Sequence, residues 1–173
     1  HESCSLAGHL NLSKLIVLFD ENSISIDGPT NLSVSDNTIK RFESYGWKTL
    51  SINGHDHEEI SKAFTIAKNH NCPTLIACKT KIGFGSPNKE STSSSHGSPL
   101  GEDEVKLTRK NLKWQHKPFE IPNDLLDGWR AFYKRNNDDI DDWKKVFKKI
   151  SNTPDFKNYF SFTIPSETKK LIK

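Results

Sequence analysis

Apolar runs and amphipathic stretches alternate over roughly the first 80 residues of the chain. Residues 15–19 form an unbroken apolar run of strand length, which is typical of a parallel strand buried on both faces. Residues 48–52 and 74–78 predict a second and a third strand. Between them, the apolar positions from Ile60 to Ala67 recur at helical spacing, which predicts a helix with one buried face.

Helix signals fall before and between these strands. Residues 1–12 indicate the end of a helix, because their apolar positions share one helical face. Ser35 and Asp36 predict the cap of a second helix, and Asp56 predicts the cap of a third, with Glu59 completing a variant of the capping box. Alternating strands and helices predict an α/β fold built on a doubly wound parallel sheet.

The second half of the chain has a different character. Residues 83–101 are rich in Gly, Ser, Pro and Asn without apolar periodicity, which predicts a long loop. Helices are predicted over 102–112, near 125–132 and over 138–150, where acidic residues precede lysines along an amphipathic face. The tail after Thr153 is interpreted as a linker. The fold is therefore expected to end in a helical linker region.

Composition narrows the class of protein. Charged residues make up 27% of the chain, hydrophobic residues 33%, and the formal net charge is +3. The acidic and basic residues are interleaved, so no nucleic acid partner is expected, and no apolar run approaches the length that spans a bilayer, so no membrane partner is expected. Three cysteines without C-x-x-C spacing indicate reduced thiols and a cytoplasmic location. The chain begins with His1 and contains no methionine, so we interpret it as a piece of a longer protein.

Two polar segments carry the candidate chemistry. Asn22 follows the first predicted strand at its carboxyl end, where open α/β sheets bind ligands. Amide and carbonyl oxygens suit Mg²⁺ or Ca²⁺, although Asp-Glu-Asn is equally typical of an ordinary turn. His96 precedes Gly97 in the serine-rich loop, from which it could enter a site; the alternative is a surface histidine.

Several short motifs follow one another over about the first hundred residues. They are Glu2-x-x-Ser5-Leu6-Ala7-Gly8-His9-Leu10, Asp20-x-Asn22-x-Ile24-x-Ile26-Asp27-Gly28, Arg41-Phe42-Glu43-x-Tyr45-Gly46-Trp47, Pro73-Thr74-Leu75-Ile76, Lys79-Thr80-x-Ile82-Gly83-Phe84-Gly85-Ser86 and His96-Gly97-x-Pro99-Leu100-Gly101. This ordered set resembles the thiamine-diphosphate-binding domain of the transketolase family. The resemblance is dense from residue 2 to about residue 101 and thins to isolated positions up to residue 122.

The resemblance implies roles for four residues. The side-chain oxygen of Asn22 and the main-chain carbonyl of Ile24 would ligate Mg²⁺, or Ca²⁺ or another divalent cation in its place, which bridges to the diphosphate of thiamine diphosphate. Ile82 would pack against the thiazolium ring, with ordinary core packing as the alternative. His96 would contact both the cofactor and the sugar substrate and take part in catalysis, because an imidazole can donate or accept a proton under neutral conditions.

The resemblance also implies a function. Transketolases transfer a two-carbon ketol group from a ketose phosphate to an aldose phosphate, which places the protein in the pentose phosphate pathway. It implies a cytoplasmic homodimer with Glu2 near the subunit interface, residues 1–122 as part of the diphosphate-binding domain, and residues 123–173 as a helical extension and interdomain linker. Two alternatives stay open, a dihydroxyacetone synthase-like enzyme and a non-catalytic module.

The resemblance further predicts that the isolated chain is inactive. The family has a second metal ligand, the aspartate of a Gly-Asp-Gly motif, and this sequence contains no such motif. The glutamate that activates the cofactor's aminopyrimidine belongs to the next domain of the family.

Overall fold

The computed structural model describes residues 1–161, 164 and 166–171. The chain forms two compact units, residues 1–115 and residues 116–173. The first unit contains a parallel sheet with helices, and the second is helical.

The elements of the first unit follow the predicted alternation. Its strands are β1 (Ile16–Glu21), β2 (Ile24–Ser25), β3 (Gly28–Pro29), β4 (Lys48–Asn53) and β5 (Thr74–Lys79). Its helices are α1 (Glu2–His9), α2 (Thr38–Ser44), α3 (His57–Lys68) and α4 (Glu102–Asn111), with 3-10 turns at Thr30–Leu32 and Ser93–Ser95. The segment 83–101 thus forms the long loop that its composition predicts.

The main sheet has the strand order β1–β5–β4, and both pairings are parallel. Glu21, Lys79 and Asn53 lie side by side in register at the ends of the three strands. Because parallel strands end at the same edge, the segments that follow β1, β4 and β5 all emerge there.

Helices cover both faces of the central strand. Leu75, 1% exposed, packs with Ala7 of α1 and with Trp47, while α2 contributes side chains to the same cluster. Ile76 points to the opposite face and packs against Ala63 and Ala67 of α3. This alternation along β5 confirms the predicted doubly wound α/β sheet.

The prediction that the first strand is buried on both faces is wrong. β1 lies at the edge of the described sheet, where it pairs with β5. Leu18 in β1 is 56% exposed, and the preceding Leu15 is 37% exposed. An edge strand has neighbouring side chains on one flank, so its apolar run is covered less completely than that of β5.

The predicted cap of the second helix is also wrong. Asn37, rather than Ser35 or Asp36, caps α2, and its side-chain oxygen accepts a hydrogen bond from the Lys40 N–H at 2.9 Å. The Asp36 carboxylate forms an ion pair with Arg41 instead. The side chains of Asn, Asp and Ser can all accept hydrogen bonds from the free N–H groups at the start of a helix. Sequence alone therefore does not show which of residues 35–37 is the cap.

Asp56 caps α3 as predicted. Its carboxylate accepts hydrogen bonds from the N–H groups of Glu59, at 3.1 Å, and Glu58, at 2.8 Å, and these bonds lower the pKa of Asp56. The Glu59 carboxylate reaches back to the Asn53 N–H at 2.7 Å rather than to the cap residue itself. The end of β4 is thereby tied to the start of α3.

A buried carboxylate on α4 organises the beginning of the long loop. Glu104 is 8% exposed and accepts hydrogen bonds from the hydroxyl of Ser86, from the Asn88 side chain at 2.9 Å and from the Asn88 N–H at 2.8 Å. These donors favour the ionised carboxylate, so the pKa of Glu104 is lowered, with the Ser86 hydroxyl as the largest cause.

The second unit contains four described helices, α5 (Asn123–Arg135), α6 (Asn137–Ile150), α7 (Pro154–Phe160) and α8 (Ser166–Leu171). The amphipathic helix predicted over 138–150 is α6. The tail after Thr153 is helical, because Thr153 caps α7, and the rings of Phe147 and Phe156 pack at a centroid distance of 5.6 Å. Among the described helices, none is long and apolar enough to cross a membrane.

Gly8 allows α1 to approach the backbone that follows α2. A Cβ atom on Gly8 would lie 1.8 Å from the carbonyl oxygen of Tyr45, whereas one on Gly128 of α5 would meet nothing within 4 Å. We expect Gly8→Ala to lower the free energy of unfolding by about 1–3 kcal/mol or more. Gly128→Ala, the matched control, should raise it by up to about 1 kcal/mol. Urea denaturation measures both, and equal effects would contradict the packing described.

The Glu104 carboxylate should make stability depend on pH. Since its pKa is lowered on folding, the stabilisation is complete above the ordinary glutamate value, about 4.3, and is lost as the pH falls through the lower folded value. We therefore expect Glu104→Gln to lower the melting temperature at pH 7, with a difference that shrinks below about pH 4. Exposed Glu102→Gln is the control. A difference that persists unchanged at low pH would refute the role of the charge.

Candidate functional site

A cleft of about 590 Å³ lies at the carboxyl edge of the sheet, a volume ordinary for a small-molecule site. It is bounded by the end of β1, the β2–β3 hairpin, the start of α2 and one residue of the long loop. The lining residues are Phe19, Asp20, Glu21, Asn22, Ser23, Ile24, Thr30, Asn31, Val34, Asp36, Asn37, Thr38, Ile39 and His96. The structure thus brings Asn22, Ile24 and His96 to one cleft.

Asn22 is fixed by a tight turn at the end of β1. Its side-chain oxygen accepts a hydrogen bond from the Ile24 N–H at 3.0 Å, and Ser23 between them has a φ of +61°. This is the local turn bond that Asn favours, and it holds the amide in one orientation. An amide oxygen has two lone pairs, so the bond leaves one for a cation.

The β2–β3 hairpin presents the carbonyl of Ile24. Ile24 lies opposite Pro29, which has no N–H to donate to it. The hairpin is closed on either side of this pair, by the Thr30 N–H on the Ser23 carbonyl at 2.9 Å and by the Ser25 hydroxyl on the Gly28 carbonyl at 2.9 Å. These hydrogen bonds fix the main chain of the hairpin. The Ile24 carbonyl receives no hydrogen bond from Pro29, the residue opposite it.

Asp20 ties the ends of β1 and β5 together. Its carboxylate accepts a hydrogen bond from the Thr80 hydroxyl, and the Asn22 amide group lies 3.4 Å from its other oxygen. The Thr80 N–H in turn approaches the Glu21 carbonyl at 3.4 Å. The carboxylate thus supports the turn in which Asn22 lies.

His96 enters the cleft from the long loop with an unsatisfied ring nitrogen. Its main-chain N–H donates to the Ser93 carbonyl at 2.9 Å, which fixes the backbone. Its Nδ1 atom is buried and has no hydrogen-bond partner within the described residues. A buried polar atom without a partner costs free energy, which makes the His96 imidazole a candidate for a hydrogen bond with a ligand.

The charge of the cleft favours a cation. Asp20, Glu21 and Asp36 are in its lining, which contains no lysine or arginine, and Asp36 is paired with Arg41 outside the lining. A diphosphate entering alone would be repelled by these carboxylates, whereas a divalent cation would be attracted and would offset the charge of the anion. In the part of the chain that the structure describes, no group of three His, Cys, Asp or Glu side chains could hold a metal. The side-chain oxygen of Asn22 and the carbonyl oxygen of Ile24 are neutral, and neutral oxygens suit Mg²⁺ when phosphate oxygens complete its coordination shell.

Ile82 lies outside this cleft. It lines a separate depression of about 480 Å³, together with Leu18, Cys78, Thr80 and others. Asp20 lines both the depression and the cleft. Burial raises the pKa of the Cys78 thiol, and the nearby Asp20 charge raises it further.

Sequence reasoning missed the part of the cleft lining that follows the β2–β3 hairpin. Thr30 and Asn31, in the turn after β3, and Asn37 and Thr38, at the start of α2, all belong to it. No periodic pattern identifies them, because they reach the cleft only once the β2–β3 hairpin reverses the chain. Glu2, by contrast, is exposed in the first turn of α1 and is not in the lining.

Comparison with known proteins assigns the family. Residues 1–166 match the family model described as "Transketolase, thiamine diphosphate binding domain". A transketolase of Buchnera aphidicola subsp. Schizaphis graminum is 50% identical over 149 residues, which cover 85% of this chain and 22% of that protein. A transketolase of Staphylococcus aureus is 45% identical over 177 residues, covering 100% of this chain and 27% of that protein. The chain spans about a quarter of the length of these relatives.

Solved structures agree with the sequence comparison. Transketolase from Campylobacter jejuni superposes with a TM-score of 0.81 at 38% identity, covering 86% of this chain and 24% of that chain. A transketolase mutant from Pichia stipitis, solved in complex with xylulose 5-phosphate, gives a TM-score of 0.83 at 30% identity over 95% of this chain and 26% of that one. The chain therefore belongs to the transketolase thiamine-diphosphate-binding domain family.

Proposed function

We propose that the cleft binds thiamine diphosphate through a divalent cation, in a protein that transfers a two-carbon ketol group from a ketose phosphate to an aldose phosphate. The observation that carries the proposal is the single cleft lined by Asn22, Ile24 and His96, a histidine whose buried Nδ1 has no partner among the described residues. Thiamine diphosphate, when bound, supplies the electron sink for carbon–carbon cleavage. The residues of this chain supply binding and orientation.

The metal ligands in this proposal are the Asn22 side-chain oxygen and the Ile24 carbonyl. The hydrogen bond between Asn22 and the Ile24 N–H fixes the two groups relative to each other. Mg²⁺ is the proposed ion, with Ca²⁺ or another divalent cation able to replace it, because the donors are hard, neutral oxygens. The Asp20 carboxylate is engaged by Thr80, which supports leaving it out of the ligand set.

His96 is proposed to contact the cofactor and the sugar and to hold or share a proton during transfer. Imidazole serves both purposes, because either ring nitrogen can donate or accept according to the tautomer. Ile82 is proposed to offer an apolar surface to the cofactor ring. Its place in the depression next to the cleft, with Asp20 common to both, supports that assignment.

The remaining expectations follow from the family. We propose a cytoplasmic homodimer in the pentose phosphate pathway that uses sugar phosphates, with Glu2 close to the subunit interface. We also propose that residues 1–122 serve the diphosphate site and that residues 123–173 act as a helical extension and interdomain linker. The inactivity of the isolated chain stays a prediction. The relatives named above are transketolases, so the dihydroxyacetone synthase-like and non-catalytic alternatives are not favoured.

Removing the Asn22 amide should weaken cofactor binding through the metal. We expect Asn22→Ala, in the full-length protein, to raise the Kd for thiamine diphosphate by at least about tenfold at low Mg²⁺, with partial recovery at high Mg²⁺. The matched control is Asn69→Ala at the end of α3. Isothermal titration calorimetry measures both. Equal affinity of the two variants would remove Asn22 from the metal site.

Removing the His96 imidazole should affect turnover. We expect His96→Ala to lower kcat for ketol transfer from xylulose 5-phosphate by about a hundredfold, the usual size of a general acid–base contribution. His57→Ala, an exposed position at the start of α3, should leave kcat unchanged. Steady-state kinetics on the full-length protein gives the comparison. Wild-type kcat in His96→Ala would show that the histidine has no part in the reaction.

A further inference from the structure

We propose that Lys89 is a positioning residue for His96, holding both flanks of the loop segment that carries the imidazole. The proposal rests on the proposed function, in which His96 contacts the substrate. Lys89 itself is not among the residues that line the cleft, so it acts through the histidine rather than on a ligand.

Two groups of Lys89 make the contacts. Its ammonium donates a hydrogen bond to the Leu100 carbonyl at 2.8 Å, four residues after His96. Its carbonyl accepts hydrogen bonds from the hydroxyl of Ser95, the residue immediately before His96, and from the Thr92 hydroxyl at 2.8 Å. One residue thus closes the segment 89–100 on both sides of the imidazole.

Lys89 is in turn held by the buried network on α4. Its N–H donates to the Ser86 hydroxyl at 3.2 Å, and that hydroxyl donates to the Glu104 carboxylate. Ser86 is 2% exposed and Glu104 is 8% exposed, so both anchors belong to the folded interior. A continuous path of hydrogen bonds therefore runs from α4 through Lys89 to the neighbours of His96.

The segment has other hydrogen bonds up to His96, among them one from the Ser91 N–H to the Ile82 carbonyl at 2.8 Å, whereas beyond His96 it is held by the bond from Lys89 to Leu100. Apart from the 3-10 turn at Ser93–Ser95 it contains no regular element, and a Cβ atom on Gly97 would meet nothing within 4 Å. A loop with few apolar contacts opens easily, and its side chains then lose their place. His96 lines the cleft only while the loop keeps its path. A charge-assisted hydrogen bond from a partly buried lysine is a strong local restraint of the kind required.

The test is a double-mutant cycle in the full-length protein with cofactor and Mg²⁺. Lys89→Met removes the ammonium but keeps a side chain of similar length. We expect it to lower kcat for ketol transfer by about tenfold or more, because small displacements of a reacting group are costly. In the His96→Ala background the same change should lower kcat by less than about twofold, because there is no imidazole left to position.

The outcomes separate this inference from the proposed function. Lys106→Met, an exposed lysine on α4, is the control and should leave kcat unchanged. If Lys89→Met lowers kcat equally with and without His96, or does not lower it at all, the positioning role is refuted. If His96→Ala alone keeps wild-type kcat, the proposed role of the histidine fails first, and the inference falls with it.

A second variant covers the case in which Lys89→Met does not fold, as judged by circular dichroism. Ser95→Ala removes the hydroxyl that joins the residue before His96 to the Lys89 carbonyl and leaves the ammonium in place. We expect it to lower kcat by about threefold or more with His96 present, and not in the His96→Ala background. Equal losses in both backgrounds would overturn the proposal.

Discussion

The parallel pairing of β1 with β5 is the constraint on which the site depends. It places the ends of the two strands side by side, so that the turn after β1 and the loop after β5 leave the sheet at one edge. Asp20 and Thr80 reinforce that edge with a hydrogen bond between their side chains. Asn22 and His96 are 74 positions apart in the chain and meet because of this pairing. Without this parallel pairing, the segments that carry Asn22 and His96 would not be brought to the same edge of the sheet.

The cleft contains charged and polar groups that a bound ligand could engage. Its lining combines carboxylates without a lysine or arginine, neutral oxygens held in a fixed turn, and a histidine whose buried Nδ1 has no partner in the described chain. A cation alone would satisfy the carboxylates, and an anion alone would be repelled. A metal-bound diphosphate matches all three features together, which is why the proposed cofactor fits better than either ion by itself.

Local sequence patterns predicted those helices and strands that are determined by residues close together in the chain. The strands β4 and β5, the helix α3 with its Asp56 cap, and the amphipathic α6 follow from periodicity and capping. The exposure of Leu18 could not be predicted, because it depends on which strands flank β1. The link from Glu104 to Ser86 joins polar residues 18 positions apart, and no sequence spacing marks it. The order of the motifs along the sequence indicated Asn22 and His96. The lining residues after β3 and at the start of α2 could be identified only from the three-dimensional fold.

The most direct test of the account is the position of the metal. Crystals of the full-length protein with thiamine diphosphate and Mn²⁺ in place of Mg²⁺ would locate the ion by anomalous diffraction. The account predicts a peak at about 2.0–2.3 Å from both the Asn22 side-chain oxygen and the Ile24 carbonyl oxygen, with His96 directed at the same ligand. A cofactor-bound structure in which the ion contacts neither oxygen would contradict it.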